Sequence, residues 1–146
     1  MKPKILVTRE IFPETLAYLR EYLDVEDNQS DNAFSADELV AKLRDKIGLM
    51  SSSSDKVDAP LLQKVSHLTA VCNIGVGYNN IDVAACAKRG VIVTNTPGVL
   101  TDATADLAFG LLLAVTRRLG EGERLIRSGE SWKWSMFMML GTGLQH

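Results

Sequence analysis

The chain has 146 residues, of which 46% are apolar and 23% charged, and a formal net charge of −2, proportions that fit one ordinary globular domain or part of two. No basic surface of the size a nucleic-acid partner needs is available in that balance. The opening "MKPKILVTRE" holds only three consecutive apolar residues, and no run approaches the roughly 20 residues of a membrane span, so neither a leader nor a membrane partner is expected and the cytoplasm is the expected location.

In chain order, Lys4 to Thr8 reads as a short buried strand and Pro13 to Leu23 as a helix with proline in its first turn, where a missing N–H costs nothing. "SADE" places Ser35 as N-cap with Glu38 three residues on, a capping box that opens a second helix. Ile47 to Met50 is a short apolar strand emptying into the loop "SSSSD", and Val57 to Val65 carries a helical apolar period. Leu68 to Ile74 is the next strand, Asp82 to Lys88 the next helix with Gly90 as its C′ residue, and Val91 to Thr94 the strand after it. Strand and helix alternate, and the strands are unbroken apolar runs. That pattern predicts an α/β fold, a flavodoxin-like doubly wound parallel sheet with helices on both faces. Ligands of such sheets sit outside the carboxyl ends of the strands, which is where "SSSS", "NIGVGYNN" and "NTPGVLT" fall.

From Thr101 to Glu130 the sequence reads as one long helix, apolar on every face between Leu107 and Val115. A helix of that kind must be enclosed by protein, and the first hundred residues can cover only part of it. Cys72 and Cys86 are expected as two buried free thiols of a reducing compartment. His67 and His146 have no partner at a metal-ligand spacing, so no metal site is expected.

Gly75 and Gly77 are spaced like the start of a dinucleotide fingerprint, but Asn80 stands where its third glycine belongs. The following strand ends in Asn95 and Thr96, neither of which supplies the carboxylate that would hold a ribose. The glycine loop therefore needs another task, and a tight strand-to-helix turn is the plainest one.

The stretch "NIGVGYNNIDVAACAKRGVIVTNTPGVLTDATADLAFGLLLAVTRR" resembles the D-isomer-specific 2-hydroxyacid dehydrogenases, and the tail "RSGESWKW…GTGLQH" is similar to the glyoxylate/hydroxypyruvate and 2-ketogluconate reductases among them. The resemblance runs from the first strand to the last residue. It implies a substrate-binding domain over residues 1–100, then an interdomain helix and dimerisation arm over residues 101–146 leading to a nucleotide-binding domain outside the chain. It also implies a small 2-oxo or 2-hydroxy acid as substrate, NAD or NADP as cofactor, and a homodimer. By the same resemblance, the N–H groups of Val76 and Gly77 bind the substrate carboxylate, a task suited to backbone that a ligand can approach closely. Val76 would also lie near the nicotinamide, Thr104 would touch the cofactor, and Ser52, Ser53 and Ser54 would form the loop over the substrate. The family's arginine, glutamate and histidine have no counterpart by motif, so no catalytic residue is expected in this chain, and the truncated chain alone is expected to be inactive. Arg117 and Arg118 match the family pattern and also suit a solvated helix end. The alternative is a non-catalytic flavodoxin-like binding or regulatory module. A receiver-like signalling domain would need acids after the first strand and an aspartate after the third, which "TRE" and "MSSSSD" do not supply.

Overall fold

Four short apolar runs become strands of one parallel sheet: β1 (Lys4–Val7), β3 (Gly48–Ser52), β4 (Ala70–Ile74) and β5 (Ile92–Thr94). A fifth strand, β2 (Asp24–Asp27), completes the order β2-β1-β3-β4-β5, and every pairing is parallel. This is the flavodoxin-like order, with its topological switch point between β1 and β3. The structure is a computed structural model and describes residues 1–145. It divides into two units, Met1–Gly98 and Val99–His146. His146, considered above as a metal ligand and as the last residue of the arm, lies outside the described residues.

The strand β2 was not expected, because "DVED" has no apolar run. It forms at the sheet edge, where its acids suit an exposed strand. Opposite charges meet them: Lys42 and Lys46 reach Glu26 at 2.8 and 2.9 Å, and Arg20 pairs with Asp27.

Around the sheet stand α1 (Pro13–Tyr22), α2 (Ala36–Lys42), α3 (Ala59–Lys64) and α4 (Val83–Lys88). Ser35 and Glu38 close the expected capping box, and Gly90 has the positive φ of a helix C′ residue, 71°. The helix expected over Val57 to Val65 is shorter, because Asp58 caps it and Val57 is drawn into a parallel bridge with Ile81.

Strand alternation sends Leu6, Leu49 and Val71 to one face, where they pack with Leu39, Leu43, Leu61, Leu62 and Cys86 from α2, α3, α4 and the short turn after α2. That face is the core. The opposite face receives Leu19 and Leu23 around Ile5, Met50 and Cys72. Cys86 is buried as expected, and burial first, then the Asp82 charge, pushes its thiol pKa up. Cys72, also expected to be buried, is exposed, because it points to the more thinly covered face.

In the second unit the single helix expected from Thr101 to Glu130 is two: α5 (Thr101–Thr116) and α6 (Leu119–Ser128). Arg118 breaks it by adopting the left-handed conformation, φ 54°, with its guanidinium on Glu121. Gly129, φ 69°, then ends α6. The released carbonyl of Thr116 accepts from Thr142 at 2.7 Å. A Cβ on Gly141 would stand 2.5 Å from the Thr116 oxygen, so this glycine allows the tail to cross the end of α5. Among the described residues, no helix is long and apolar enough to cross a membrane.

Candidate functional site

The carboxyl edge of the sheet is organised by a buried polar cluster. Thr8 follows β1, Ser51 and Ser52 end β3, and Asn73 lies near the end of β4; Thr8, Ser51, Asn73 and the nearby Asp55 are all buried. Buried polar groups persist only when paired, and these are. Asp55 Oδ2 accepts from the Thr8 hydroxyl, from the Ser52 N–H at 2.7 Å and from the Ser52 hydroxyl at 3.2 Å. One carboxylate thus ties β1 to the serine turn across the switch point.

Asn80 extends the tie to the glycine loop. Its side-chain amide donates to the carbonyls of Ser52 and Asp55, both at 3.0 Å, and to Asn73 Oδ1 at 3.2 Å. Ser51 also donates to that oxygen, at 3.2 Å, while Asn73 Nδ2 donates to the Gly77 carbonyl at 2.7 Å. From the far side Asn95 Nδ2 holds the Val76 carbonyl at 2.8 Å, and the Thr96 N–H holds that of Gly75 at 3.0 Å. The carbonyls of three successive loop residues are thereby occupied.

The N–H groups of Val76 and Gly77 are not. Among the described residues neither donates to any acceptor, and both residues are exposed. Gly77 has a negative φ, and a Cβ placed on it would meet nothing within 4 Å. Neither backbone conformation nor packing within the chain therefore requires glycine there. Free N–H groups on a backbone whose carbonyls are pinned elsewhere form an electropositive surface open to an anion.

The structure brings Ser52 to Ser54 and the loop of Val76 and Gly77 to one edge. Ser52 ends β3 and is half-buried, whereas Ser53 and Ser54 form the exposed turn, with Ser54 Oγ 2.8 Å from Ser52 Oγ. Thr104 belongs to the second unit, at the start of α5. Its N–H is used by the Leu100 carbonyl at 2.9 Å, which leaves its exposed hydroxyl as the available group. The described residues do not form a pyrophosphate cradle: α4 begins only at Val83, well past Gly77, and the glycines of "GTG" follow no strand. His67 is exposed in a connection, with Nε2 2.8 Å from the Leu43 carbonyl.

None of Asp55, Asn73, Asn80 and Asn95 was expected as a site residue; Asn80 and Asn95 entered only as departures from a dinucleotide fingerprint. The available signal was Asn80 itself, a polar residue at the place where a fingerprint glycine would stand.

The family profile described as "D-isomer specific 2-hydroxyacid dehydrogenase, catalytic domain" matches residues 5–137. A glyoxylate reductase of Thermococcus litoralis is 44% identical over 150 aligned positions, covering 99% of this chain and 45% of that protein. A crystal structure of a Thermus thermophilus protein superposes with a TM-score of 0.85 at 37% identity, covering 97% of this chain and 46% of the other. The NADPH-dependent glyoxylate/hydroxypyruvate reductase of Sinorhizobium meliloti, solved with NADP and malonate, gives a TM-score of 0.72 at 39% identity over 88% of this chain and 39% of that one. The chain spans less than half the length of these relatives.

Proposed function

The chain belongs to the D-isomer specific 2-hydroxyacid dehydrogenase family, and from that membership we propose that it is the substrate-binding part of an NAD(P)H-dependent reductase of small 2-oxo acids. Glyoxylate, hydroxypyruvate and 2-ketogluconate are the substrates in view. The observation that carries this reading is the pair of unpartnered N–H groups at Val76 and Gly77, on a loop whose carbonyls are held by Asn73, Asn95 and Thr96. They receive the substrate carboxylate. The relatives with similar sequences and folds that reduce glyoxylate or hydroxypyruvate, one of them solved with NADP, support the substrate and cofactor class.

In this reading residues 1–100 bind the acid, with Ser52, Ser53 and Ser54 beside it, and residues 101–146 form the interdomain helix and dimerisation arm. When bound, NAD(P)H supplies the hydride. Val76 of the first unit and the Thr104 hydroxyl of the second would each supply a contact to it, and the rest of its cradle would come from outside these residues. Taken alone, the 146 residues carry no arginine placed by motif to clamp the carboxylate and no histidine placed to protonate the new alkoxide. Losing one well-placed electrostatic donor costs about 10²–10³ in rate, so the chain alone gives no turnover. The apolar surface of α5, with Leu107, Phe109, Leu111, Leu112 and Val115 exposed, together with Trp132 to Phe137, is covered by a second copy in a homodimer. The protein works in the cytoplasm.

Titration of the nitrogen-15-labelled chain with glyoxylate tests the site: the amide signals of Val76 and Gly77 shift first and furthest. Silence at both positions while glyoxylate saturates would refute the assignment. Light scattering at micromolar concentration reads the dimer, and reduced-nicotinamide absorbance reads turnover. A clean monomer, or oxidation above the blank in mass-verified material, would overturn those parts of the reading.

A further inference from the structure

The loop after β1 leaves a groove of about 510 Å³ at the carboxyl edge of the sheet. Phe12, Met50 and Ile74 give it apolar walls, and the exposed residues Glu10 and Asp31 stand at its rim. It lies at the switch point, where the chain leaving β1 and the chain leaving β3 turn to opposite faces of the sheet, the usual place for a ligand in this topology. The groove reaches the residue that precedes the glycine loop. Ile74 lines the groove and leads directly into Gly75 and Val76, and the register that pairs Ser52 with Ile74 and Met50 with Cys72 puts Met50 and Ile74 on one face.

Resting on the carboxylate site proposed above, we infer that this groove receives the substituent on the oxo carbon of the acid. Met50 and Ile74 set the size and polarity that are accepted, and the preferred class is monocarboxylic 2-oxo acids with an uncharged substituent. A carboxylate and a ketone alone leave most of 510 Å³ unfilled. Each further CH₂ placed against such walls strengthens binding about threefold to fivefold. A second carboxylate would instead lose its hydration against apolar walls. Among the described residues no lysine or arginine lines the groove. Arg9 lies 3.6 Å from Asp31 and offsets that charge, whereas Glu10 has no ion-pair partner among the described residues and repels an anion over a range that salt shortens.

The test titrates the labelled chain with pyruvate, 4-methyl-2-oxopentanoate and 2-oxoglutarate, which differ in the substituent and share the oxo-acid head. All three are expected to shift the Val76 and Gly77 amides. Only the branched acid moves the methyl signals of Met50 and Ile74, and it binds about tenfold more tightly than 2-oxoglutarate. Glu10→Gln narrows that gap, and added salt does the same. Ile74→Phe, a substitution the end of a strand tolerates, fills the groove and removes the gain of the branched acid over pyruvate. Amides that shift while the Met50 and Ile74 methyls stay silent would overturn the groove and leave the carboxylate site standing, as would 2-oxoglutarate binding as tightly as the branched acid. Silent amides with all three acids would overturn both.

Discussion

The two units of this chain treat apolar residues in opposite ways. Among the described residues, those that are buried all lie between Leu6 and Val91, most of them where the strand faces meet α1, α2, α3 and α4. From Val99 to Gln145 none is buried, although α5 reads "TDATADLAFGLLLAVT" and is apolar nearly all round. The difference shows that composition does not make a core. A sheet provides two broad faces that successive helices can cover, whereas a sixteen-residue helix is marginal in water without a second surface to pack on.

The largest test of that contrast is a pair of truncations. Leu62→Ala, at a fully buried position, is expected to cost about 3–5 kcal/mol in urea unfolding of the sheet unit. Leu111→Ala, at a position 57% exposed, is expected to cost that unit less than about 0.5 kcal/mol and to act on self-association instead. Equal losses would erase the distinction.

Within the sheet unit, Asn80→Ala sharpens it further. It deprives the carbonyls of Ser52 and Asp55 of a donor, a loss of about 1–3 kcal/mol. Because Asn80 joins two loops, faster amide exchange should appear at the serine turn and the glycine loop together, while α5 exchange is unchanged. A change confined to residue 80 and its chain neighbours would show that the loops are held independently.

Gly77→Val separates ligand function from stability at one position. With a negative φ and open space around it, Gly77 should accept a β-branched side chain at a cost of about 1 kcal/mol or less. The amide response to glyoxylate should nevertheless be abolished, because the new side chain would occupy the proposed carboxylate site. A variant that still gives the wild-type titration would remove Gly77 from the site.

The smallest expected effect is acid sensitivity of the β2 end of the sheet. Lys4 and Lys46 on Asp45 hold its carboxyl down at about 2 from the ordinary 3.8, and Lys42 and Lys46 lower that of Glu26. Both folded pKa values are depressed, so the stabilisation is present above the unfolded range of about 4 and is lost as pH falls toward 2. Exposure to solvent keeps it modest. Asp45→Asn should therefore flatten the decline in melting temperature of the sheet unit between about pH 5 and pH 2.5. An unchanged decline would assign the acid response to other groups.

The candidate site was legible in part. Val76 and Gly77 could be named from the resemblance carried by "NIGVGYNN", and the register then placed their loop beside Ser52 to Ser54. Asp55 and Asn80 could not be named, since an aspartate after serines and an asparagine before isoleucine are ordinary loop residues in one dimension. Their role exists only because Thr8, Ser52 and Asn73, far apart in sequence, end three adjacent strands at one edge.

The sequence by itself determined the alternation of elements, the parallel class of the sheet, the Ser35 capping box and the Gly90 helix end. Each of these follows from local backbone preference or from the period of apolar residues along a few turns of chain. Tertiary structure decided the rest. It made a strand of "DVED", because an edge beside β1 and lysines from α2 and the turn after it were there to receive it. It exposed Cys72, because only one face of β4 meets the main core. It divided the long helix at Arg118, where the chain turns back and Thr142 takes the Thr116 carbonyl that the broken helix leaves free. These outcomes depend on partners distant in sequence, whose positions no local pattern contains.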